Sequence, residues 1–193
     1  MMSRRYRASC VCGTVESMTG KLLVITGPPG AGKTTISSII ASQADPSAHV
    51  EGDAFYTFLR NGYIPPWTPE SNDQNHMVVR ATTLAAATFA ASDRLTVLDG
   101  VFGPWFIELV KETAASAGVS DIHYGILMAD LDTCLGRFEG RHGDDAPLDM
   151  VRKMHGEFSD LGNYAGHVVQ SGETAELTAL ELAQRFAAGE LAL

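Results

Sequence analysis

Short apolar runs alternate along the chain with stretches in which apolar residues recur every three or four positions. Runs of the first kind are typical of strands buried on both faces, and stretches of the second kind are typical of helices with one packed face. This alternation predicts an α/β fold in three layers (α/β/α), a parallel sheet covered by helices on both faces. Strands are predicted at 21–26, 49–51, 95–100, 122–129 and 167–170. Helices are predicted at 33–43, 54–62, 72–92 (capped by Asn72 or Asp73), 104–117, 130–141, 148–161 and 174–189.

Residues 1–17 show neither periodicity, and we expect them to be a poorly ordered leader ahead of a single domain at 18–193. Cys10 and Cys12 in this leader could bind a metal, but no second ligand pair follows, and an inert leader is the favoured interpretation. The leader lacks the apolar core of a signal peptide, and no apolar run approaches the roughly 20 residues of a membrane span. We therefore expect a cytoplasmic protein with no membrane partner.

The composition indicates which kind of molecule the protein binds. Of the 193 residues, 45 % are hydrophobic and 19 % are charged, and the formal net charge is −9. These values are typical of a soluble globular protein, whereas a nucleic-acid-binding protein usually carries a basic stripe. We therefore expect a small-molecule substrate rather than a nucleic acid, bound by a monomer or a homodimer.

The segment GPPGAGKTT connects the first predicted strand to the first predicted helix. Gly27-x-x-x-x-Gly32-Lys33-Thr34 has the spacing of a loop that binds the phosphates of a nucleotide. Glycines let backbone N–H groups turn inward around an anion, and the helix N-terminus adds a partial positive charge. Lys33 is placed to reach the outer phosphates, and the Thr34 hydroxyl is placed to bind Mg²⁺. The predicted cofactor-binding residues of this loop are Gly27, Pro28, Pro29, Gly30, Ala31, Gly32, Lys33, Thr34 and Thr35.

The third predicted strand has Asp99 after four mostly apolar residues. An Asp in this position beside a phosphate loop can hold Mg²⁺ through water, so Thr34 and Asp99 are the predicted metal-binding residues. Many ATP-hydrolysing motors carry a Glu directly after this Asp, whereas the next residue here is Gly100. The Asn-Lys-x-Asp signature of guanine-reading switches does not occur in the chain. Both differences favour a protein that transfers the phosphate to another molecule over an ATP-hydrolysing motor or a nucleotide-dependent switch.

The second predicted strand leads into Gly52-Asp53, at the carboxyl edge where ligands of such sheets bind. The Asp53 carboxylate could accept the proton of a substrate hydroxyl as that oxygen attacks the γ-phosphate. It could also cap the following helix, a role compatible with the first. Glu51 could help to bind the metal or orient Asp53, or it could be an exposed carboxylate at the strand end.

Arg137 and Arg141 lie four residues apart, on one face of a predicted helix that leads into the polar segment HGDDAP. Arginines there could clamp the γ-phosphate and stabilise the transferring charge. The alternative is a solvated helix face on which both arginines pair with neighbouring acidic residues. The sequence pattern leaves both interpretations open.

The order of these motifs resembles small-molecule kinases of the P-loop superfamily, above all the gluconate-kinase-like and chloramphenicol-phosphotransferase-like proteins. The stretches VEGDAFYTFLRNGYIPPW, VLDGVFGPW and RHGDDAPLDMVRKMHGEFSDLG look most like this group, and the resemblance spans about 20–187. It implies a five-stranded sheet in the order 2-3-1-4-5, an ATP–Mg²⁺ cofactor and a lid at about 137–148. It also implies an adenine pocket near Arg137, Ser171 and Gly172. Two acids in RHGDDAP depart from gluconate kinases, which argues against gluconate as the substrate.

The segment between the second and third predicted strands offers aromatic and polar residues for a substrate pocket. Such a pocket suits a ring-bearing or sugar-like ligand. Arg60 or Arg80 would face the pocket if the substrate were anionic, and a neutral or cationic substrate is favoured if both face water. Phe55 and Phe58 are expected to pack in the core instead. The predicted substrate residues are Asp53, Tyr56, Arg60, Tyr63, Trp67, Gln74, Arg80 and Phe102.

The motifs and the resemblance together predict transfer of the γ-phosphate of ATP to a hydroxyl of a sugar, sugar acid, antibiotic or similar alcohol. Asp53, Lys33, Arg137 and Arg141 are the predicted catalytic residues. One alternative is a regulatory module that binds a nucleotide with little turnover, which would lack an aligned acceptor pocket. Another is a kinase of nucleotides or polynucleotide ends, and the net charge of −9 argues against a polynucleotide.

Overall fold

The computed structural model describes residues 20–193, so the leader predicted at 1–17 lies outside the described residues. The strands in this range are β1 (Leu22–Thr26), β2 (Ser47–Glu51), β3 (Leu95–Asp99), β4 (Ile122–Met128) and β5 (Val168–Gln170). They form a five-stranded parallel sheet in the order β2-β3-β1-β4-β5. The fold class and the strand order predicted from the sequence and its resemblance are therefore confirmed.

Six α-helices cover the sheet within residues 20–193. They are α1 (Lys33–Ser42), α2 (Asn72–Ala90), α3 (Ile107–Ser116), α4 (Leu131–His142), α5 (Leu148–Glu157) and α6 (Ala175–Ala187). One apolar cluster joins the sheet to buried residues of α1, α4, α5 and α6, and a second joins it to α2 and α3. The two clusters make the three layers, because successive strand residues point to opposite faces of the sheet.

The central strands β1 and β3 are buried in every residue, which explains their mostly apolar sequences. In the register of the sheet, Asp99 at the end of β3 pairs with Ile25 of β1 and with Glu51 of β2. The carboxyl ends of β1, β2 and β3 therefore meet at one edge. This edge carries the segments that the sequence marked as chemically significant.

Three predicted helix boundaries are wrong. The helix predicted at 54–62 is a 3₁₀-helix at Gly52–Phe58, which ends as the chain approaches a positive-φ glycine and two prolines. The N-cap of α2 is Ser71 rather than Asn72 or Asp73, and its hydroxyl contacts preceding carbonyls instead of capping the helix. The helix predicted at 148–161 ends at Glu157.

The two phenylalanines expected in the core differ in burial. Phe55 packs partly buried against the apolar cluster on the α2 side. Phe58 is 68 % exposed and meets the edge of the Phe55 ring, with centroids 5.4 Å apart, so the core position predicted for Phe58 is wrong. A 3₁₀-helix places residues three apart on one side, which puts Phe58 over Phe55 rather than beneath it. In residues 20–193, no helix is long and apolar enough to cross a membrane.

Candidate active site

The loop that connects β1 to α1 turns sharply at two of its glycines. Gly27 and Gly30 have φ values of 147° and 85°, which L side chains rarely adopt. A Cβ on Gly27 would collide with the Leu127 carbonyl oxygen, and a Cβ on Gly30 would collide with the Cys134 carbonyl oxygen. The loop backbone therefore packs directly on β4 and α4, at the carboxyl edge of the sheet.

The N-terminus of α1 faces this loop. Its N-cap is Gly32, and no side chain in the described residues forms a capping hydrogen bond there. The first N–H groups of a helix have no partner within the helix, and the helix dipole adds a partial positive charge. This donor set fits the phosphates of a nucleotide.

Lys33 is the first residue of α1, and its side chain folds back onto the loop. Its Nζ donates a hydrogen bond to the Pro28 carbonyl oxygen at 3.1 Å, and the residue is only 8 % exposed. Burial lowers the pKa of Lys33, while the charges of Asp53 and Asp99 act in the opposite direction. An ammonium has three donors, so the bond to Pro28 leaves capacity for phosphate oxygens.

Thr34 and Asp99, the predicted metal-binding residues, are in contact. The Thr34 hydroxyl donates to Asp99 Oδ2 at 2.6 Å, and Asp99 is 2 % exposed. Hydroxyl and carboxylate oxygens are ligands that Mg²⁺ prefers, so this pair fits Mg²⁺ held directly or through water. Asp99 Oδ1 lies 3.2 Å from His49 Nε2 on β2, a contact for which the sequence carries no signal. Glu51 is exposed at the end of the same strand.

A cavity of about 360 Å³ opens beside the first turn of α1, and we call it the nucleotide-side cavity. Arg137 Nη1 donates to Ser171 Oγ at 3.3 Å and approaches the Gly30 carbonyl oxygen at 3.5 Å. The structure thus brings the loop, α4 and the turn after β5 together. The predicted residues in the lining are Ala31, Gly32, Thr35, Arg137, Arg141, Ser171 and Gly172. The other predicted residues of the loop and the start of α1 lie outside this lining: Gly27, Pro28, Pro29, Gly30, Lys33 and Thr34.

The predicted lid begins on α4. Arg137 and Arg141 are both exposed, and both line the nucleotide-side cavity. Residues 143–147 separate α4 from α5 without helix or strand. The lid predicted at 137–148 therefore corresponds to the end of α4, this connection and the first residue of α5. Closure of this segment over a nucleotide stays a prediction.

A larger cavity of about 590 Å³ lies at the carboxyl ends of β2 and β3, and we call it the acceptor cavity. Asp53 lies in its wall. Within the described residues, no side chain forms a capping hydrogen bond at the 3₁₀-helix that contains Asp53, so capping does not account for this carboxylate. The charge of Asp53 opposes the effect of burial on the pKa of Lys33 in the phosphate loop.

Gly52 sets the position of Asp53. A Cβ on Gly52 would lie 2.7 Å from the Asp99 carbonyl oxygen and 2.8 Å from the Phe102 ring. The Phe102 amide donates to Thr26 Oγ1 at 2.9 Å, and the Tyr124 hydroxyl donates to the Phe102 carbonyl oxygen at 2.8 Å. The Phe102 backbone is thus tied to β1 and β4, and its ring covers the backbone next to Asp53.

The predicted substrate residues divide into two groups of four. Asp53, Tyr56, Trp67 and Phe102 line the acceptor cavity, whereas Arg60, Tyr63, Gln74 and Arg80 lie outside its lining. Gln74 instead supports the cavity wall, because its side-chain amide exchanges two hydrogen bonds with the backbone of Ile64, at 2.8 and 2.6 Å. Tyr63 packs edge-on against Tyr56, with centroids 6.5 Å apart.

Several lining residues have no sequence signal. Lys153, Met154 and Glu157 reach the acceptor cavity from α5, which lies beyond the predicted lid in the chain. Lys153 Nζ donates to the Trp67 carbonyl oxygen at 2.8 Å and so joins α5 to the segment before α2. His76 also lines the cavity, edge-on to Phe106 at 5.5 Å. Only the tertiary arrangement of α5 against the segment before α2 could have identified the three residues that α5 contributes.

Comparison with solved structures places the chain among proteins of one fold. A sugar kinase from Janibacter sp. HTCC2649 is 19 % identical, with a TM-score of 0.63, and the match covers 85 % of this chain and 92 % of that chain. The Deinococcus radiodurans tunicamycin resistance protein is 17 % identical, with a TM-score of 0.64 and coverages of 86 % and 95 %. The Mycobacterium tuberculosis APS kinase, solved with AMPPNP and APS, is 16 % identical, with a TM-score of 0.63 and coverages of 87 % and 98 %.

These likenesses establish the fold: the chain has the three-layer fold of P-loop kinases, as the motifs and their resemblance predict. No model of a known protein family matches the sequence. One curated protein, ABC transporter G family member 36 of Arabidopsis thaliana, is 25 % identical over 156 residues. That match covers 71 % of this chain, and the chain spans only 10 % of the transporter's length.

Proposed function

We propose that this protein is an ATP-dependent phosphotransferase that moves the γ-phosphate of ATP to a hydroxyl of a small molecule in the cytoplasm. The observation that carries the proposal is the position of Asp53, in the wall of the acceptor cavity and just beyond β2, whose last residue pairs with Asp99, the carboxylate that contacts Thr34 at the phosphate loop. A nucleotide site and an acceptor site would thus share one edge of the sheet. The structural neighbours include proteins whose titles name a sugar kinase, a gluconokinase and an APS kinase, which supports the same class of reaction.

On the nucleotide side, the loop amides and Lys33 would hold the phosphates, and Arg137 and Arg141 would close over them. Thr34 and Asp99 would hold Mg²⁺, which supplies neutralisation of phosphate charge when bound. The turn at Ser171 and Gly172, together with Arg137, would bind the adenine side of the nucleotide, a role supported by their places in the nucleotide-side cavity.

On the acceptor side, Asp53 would accept the proton of the acceptor hydroxyl. As this proton moves to the carboxylate, the acceptor oxygen bonds to the γ-phosphorus, and the bond from that phosphorus to the β–γ bridging oxygen breaks. The Lys33 ammonium would stabilise the negative charge that develops on the departing oxygen. Tyr56, Trp67 and Phe102 would position the acceptor and exclude water from the reaction.

The main alternatives lack support from the acceptor side. A regulatory module with little turnover would need no acceptor cavity beside its nucleotide site. A polynucleotide kinase would need cations along its acceptor groove, because backbone phosphates dominate such binding. Among the described residues that line the acceptor cavity, Lys153 is the one lysine or arginine, and it already contacts Trp67 and Glu157.

The direct test of the activity is a screen for ADP release with ATP and Mg²⁺. The panel contains sugars, sugar acids, nucleosides, antibiotics and short oligonucleotides, with mass spectrometry of each active reaction. Phosphorylation of a small alcohol is the expected result. Phosphorylation of oligonucleotide ends alone, or nucleotide binding with no acceptor in the panel, would favour the corresponding alternative.

Asp53→Asn tests the proposed base. We expect it to bind ATP and Mg²⁺ like the wild type and to lose phosphoryl transfer by about 10²-fold or more, the usual size of a general-base contribution. Asp73→Asn is the matched control, because Asp73 is another exposed carboxylate in the first turn of a helix. Nucleotide affinity and acceptor phosphorylation are measured for both variants. An Asp53→Asn protein that keeps its transfer rate would contradict the mechanism at its central residue.

A further inference from the structure

We infer that the acceptor is an amine-bearing alcohol with an apolar body, whose ammonium group is held by Glu157 and the aromatic wall of the acceptor cavity. The inference rests on the proposed function only in taking this cavity as the acceptor site. It narrows the substrate from alcohols in general to one class of charge and shape. Three features of the cavity support it: its aromatic lining, its fixed charges and the contrast with the nucleotide side.

The first feature is the aromatic lining. Tyr56, Trp67, Phe102, Trp105 and Phe106 contribute rings to a cavity of about 590 Å³, a volume typical of sites for ring-sized ligands. Apolar rings remove the hydrophobic face of a ligand from water. The faces of aromatic rings also attract cations and repel carboxylates, because the ring quadrupole is negative above its plane.

The second feature is the set of fixed charges in the lining. Asp53 and Glu157 supply two carboxylates, and Lys153 supplies an ammonium. That ammonium already donates to the Trp67 carbonyl oxygen at 2.8 Å and lies 4.0 Å from Glu157 Oε1. Arg60 and Arg80, which an anionic substrate would require, lie outside the lining, and both are exposed.

The third feature is the separation of charge between the two cavities. Lys33, Arg137 and Arg141 concentrate positive charge on the side where the triphosphate would bind. The acceptor cavity has one lysine among the described residues, Lys153, whose ammonium already donates to the Trp67 carbonyl oxygen, so a carboxylate or phosphate on the acceptor would share that single cation with Glu157 and lie next to Asp53. An ammonium would instead find Glu157, whose long contact with Lys153 leaves carboxylate capacity unused.

The chain contains a built-in probe for this cavity. Its two tryptophans, Trp67 and Trp105, both line the acceptor cavity, so intrinsic tryptophan fluorescence reports ligands that enter it. Three alcohols share one phenyl-ethanol body and differ in charge: 2-amino-1-phenylethanol (cationic), 1-phenylethane-1,2-diol (neutral) and mandelate (anionic). Each is titrated into the full chain at low salt and neutral pH, with excitation that selects tryptophan.

We expect the amine to bind about 3- to 10-fold more tightly than the diol, the size of a partly exposed ion pair with a cation–π contribution. Mandelate is expected to bind most weakly. Glu157→Gln should reduce the preference of amine over diol to within about twofold of unity, since it removes the ion pair and leaves the rings. Glu181→Gln, which removes the same charge from the exposed face of α6, should leave the preference unchanged.

Mandelate binding as tightly as the amine, an amine that leaves the fluorescence unchanged up to its solubility limit, or an unchanged preference in Glu157→Gln would each overturn the inference. The measurement needs neither ATP nor turnover. Failure of every acceptor in the ADP-release screen, with the charge preference intact, would therefore count against the proposed function alone. Phosphorylation of acidic alcohols together with the reverse charge preference would overturn this inference and leave the phosphotransferase standing.

Discussion

The two cavities at the carboxyl edge of the sheet are built in opposite ways. The nucleotide-side cavity forms around one short loop whose glycines pack on backbone carbonyls of β4 and α4, and its charged side chains are two arginines and Glu173. The acceptor cavity draws its lining from four separate stretches of chain, and it combines aromatic rings with two carboxylates. Backbone groups dominate the first cavity, and side chains dominate the second.

This difference indicates which part of such a protein can change in amino-acid sequence while the fold stays the same. A loop that binds phosphate with its own N–H groups depends on backbone geometry, and Gly27 and Gly30 leave no space for a side chain. A wall of side chains can change its chemistry while the strands beneath it stay in place. Asp53 lies in the wall of the acceptor cavity and Lys33 lies in the phosphate loop, at the same edge of the sheet, where the proposed reaction would take place.

The largest expected effect comes from the cation of the nucleotide side. Lys33→Ala should keep the fold and lower turnover by about 10²-fold or more, because it removes a charge that follows the transferring phosphate. Lys111→Ala is the control, since Lys111 is a half-buried lysine outside both cavities that pairs only with Glu108, at 3.3 Å, in the described residues. Turnover and thermal unfolding are measured for both. Near wild-type transfer by a folded Lys33→Ala protein would refute the role assigned to the phosphate loop.

The second expected effect concerns the metal. Asp99→Asn should raise the Mg²⁺ concentration needed for half-maximal activity by about 10-fold or more, because it weakens a carboxylate that holds the ion or its water. Asp53→Asn, on the acceptor side, should leave this concentration unchanged in the residual activity. Titrations of activity against Mg²⁺ separate the two carboxylates. Equal shifts in both variants would show that Thr34 and Asp99 are not the distinguishing metal ligands.

A severalfold effect is expected for the predicted lid. Trypsin should cleave after Arg137 and Arg141 in the free protein. An ATP analogue that is not hydrolysed, added with Mg²⁺, should slow this cleavage. Arg94 is the internal control, because it is an exposed residue in the connection before β3 and lies outside both cavities. Mass spectrometry of the fragments over time gives each rate. Identical rates with and without nucleotide would favour a solvated helix face.

The smallest expected effect lies away from both cavities, at the start of β4. His123 is 2 % exposed, its Nδ1 has no hydrogen-bond partner in the described residues, and its Nε2 lies 2.8 Å from Asp121 Oδ1. Burial lowers the pKa of His123 below its ordinary value of 6.5, against the opposing effect of Asp121. The unfolded chain therefore binds the proton first, so the stability that depends on neutral His123 is full above pH 6.5 and falls as the pH drops through and below that value.

The comparison that checks this effect is wild type against His123→Gln. The free energy of unfolding in urea is measured from pH 7.5 down to about pH 5. Wild type should lose more stability over this range than the variant, and nucleotide binding near pH 7 should be the same in both. Parallel pH profiles would show that His123 does not contribute the titration.

The sequence predicted the nucleotide side more fully than the acceptor side, for a physical reason. Gly27 to Thr34 are contiguous, so one spacing carries the loop, the helix start and the lysine. Asp53 follows a predicted strand, and Asp99 ends another. Parallel pairing places the carboxyl ends of strands at one edge of the sheet, so the positions of both carboxylates could be predicted from the strands alone. The glutamate and lysine that α5 contributes, Glu157 and Lys153, depend on how α5 packs against the segment before α2, which no local pattern encodes.

Four of the predicted substrate residues lie outside the lining of the acceptor cavity and stay predictions. Arg60, Tyr63, Gln74 and Arg80 have suitable chemistry and lie near the cavity in sequence, but side-chain direction depends on the 3₁₀-helix and on the turns that follow it. Gln74 exchanges its hydrogen bonds with the backbone of Ile64 rather than reaching into the cavity. Residue type alone does not distinguish a residue that contacts a ligand from one that supports the cavity wall by hydrogen bonds.

The hydrogen bonds that support the cavity wall have a consequence for how related proteins can diverge. Because Gln74 and Asn75 tie the segment around Ile64 and Pro66 to α2, the chain between β2 and β3 holds itself together by contacts within one continuous stretch. Most of the acceptor lining belongs to that stretch. A gene could therefore exchange this portion in a single recombination event, acquire a new substrate range, and inherit its ATP machinery without alteration.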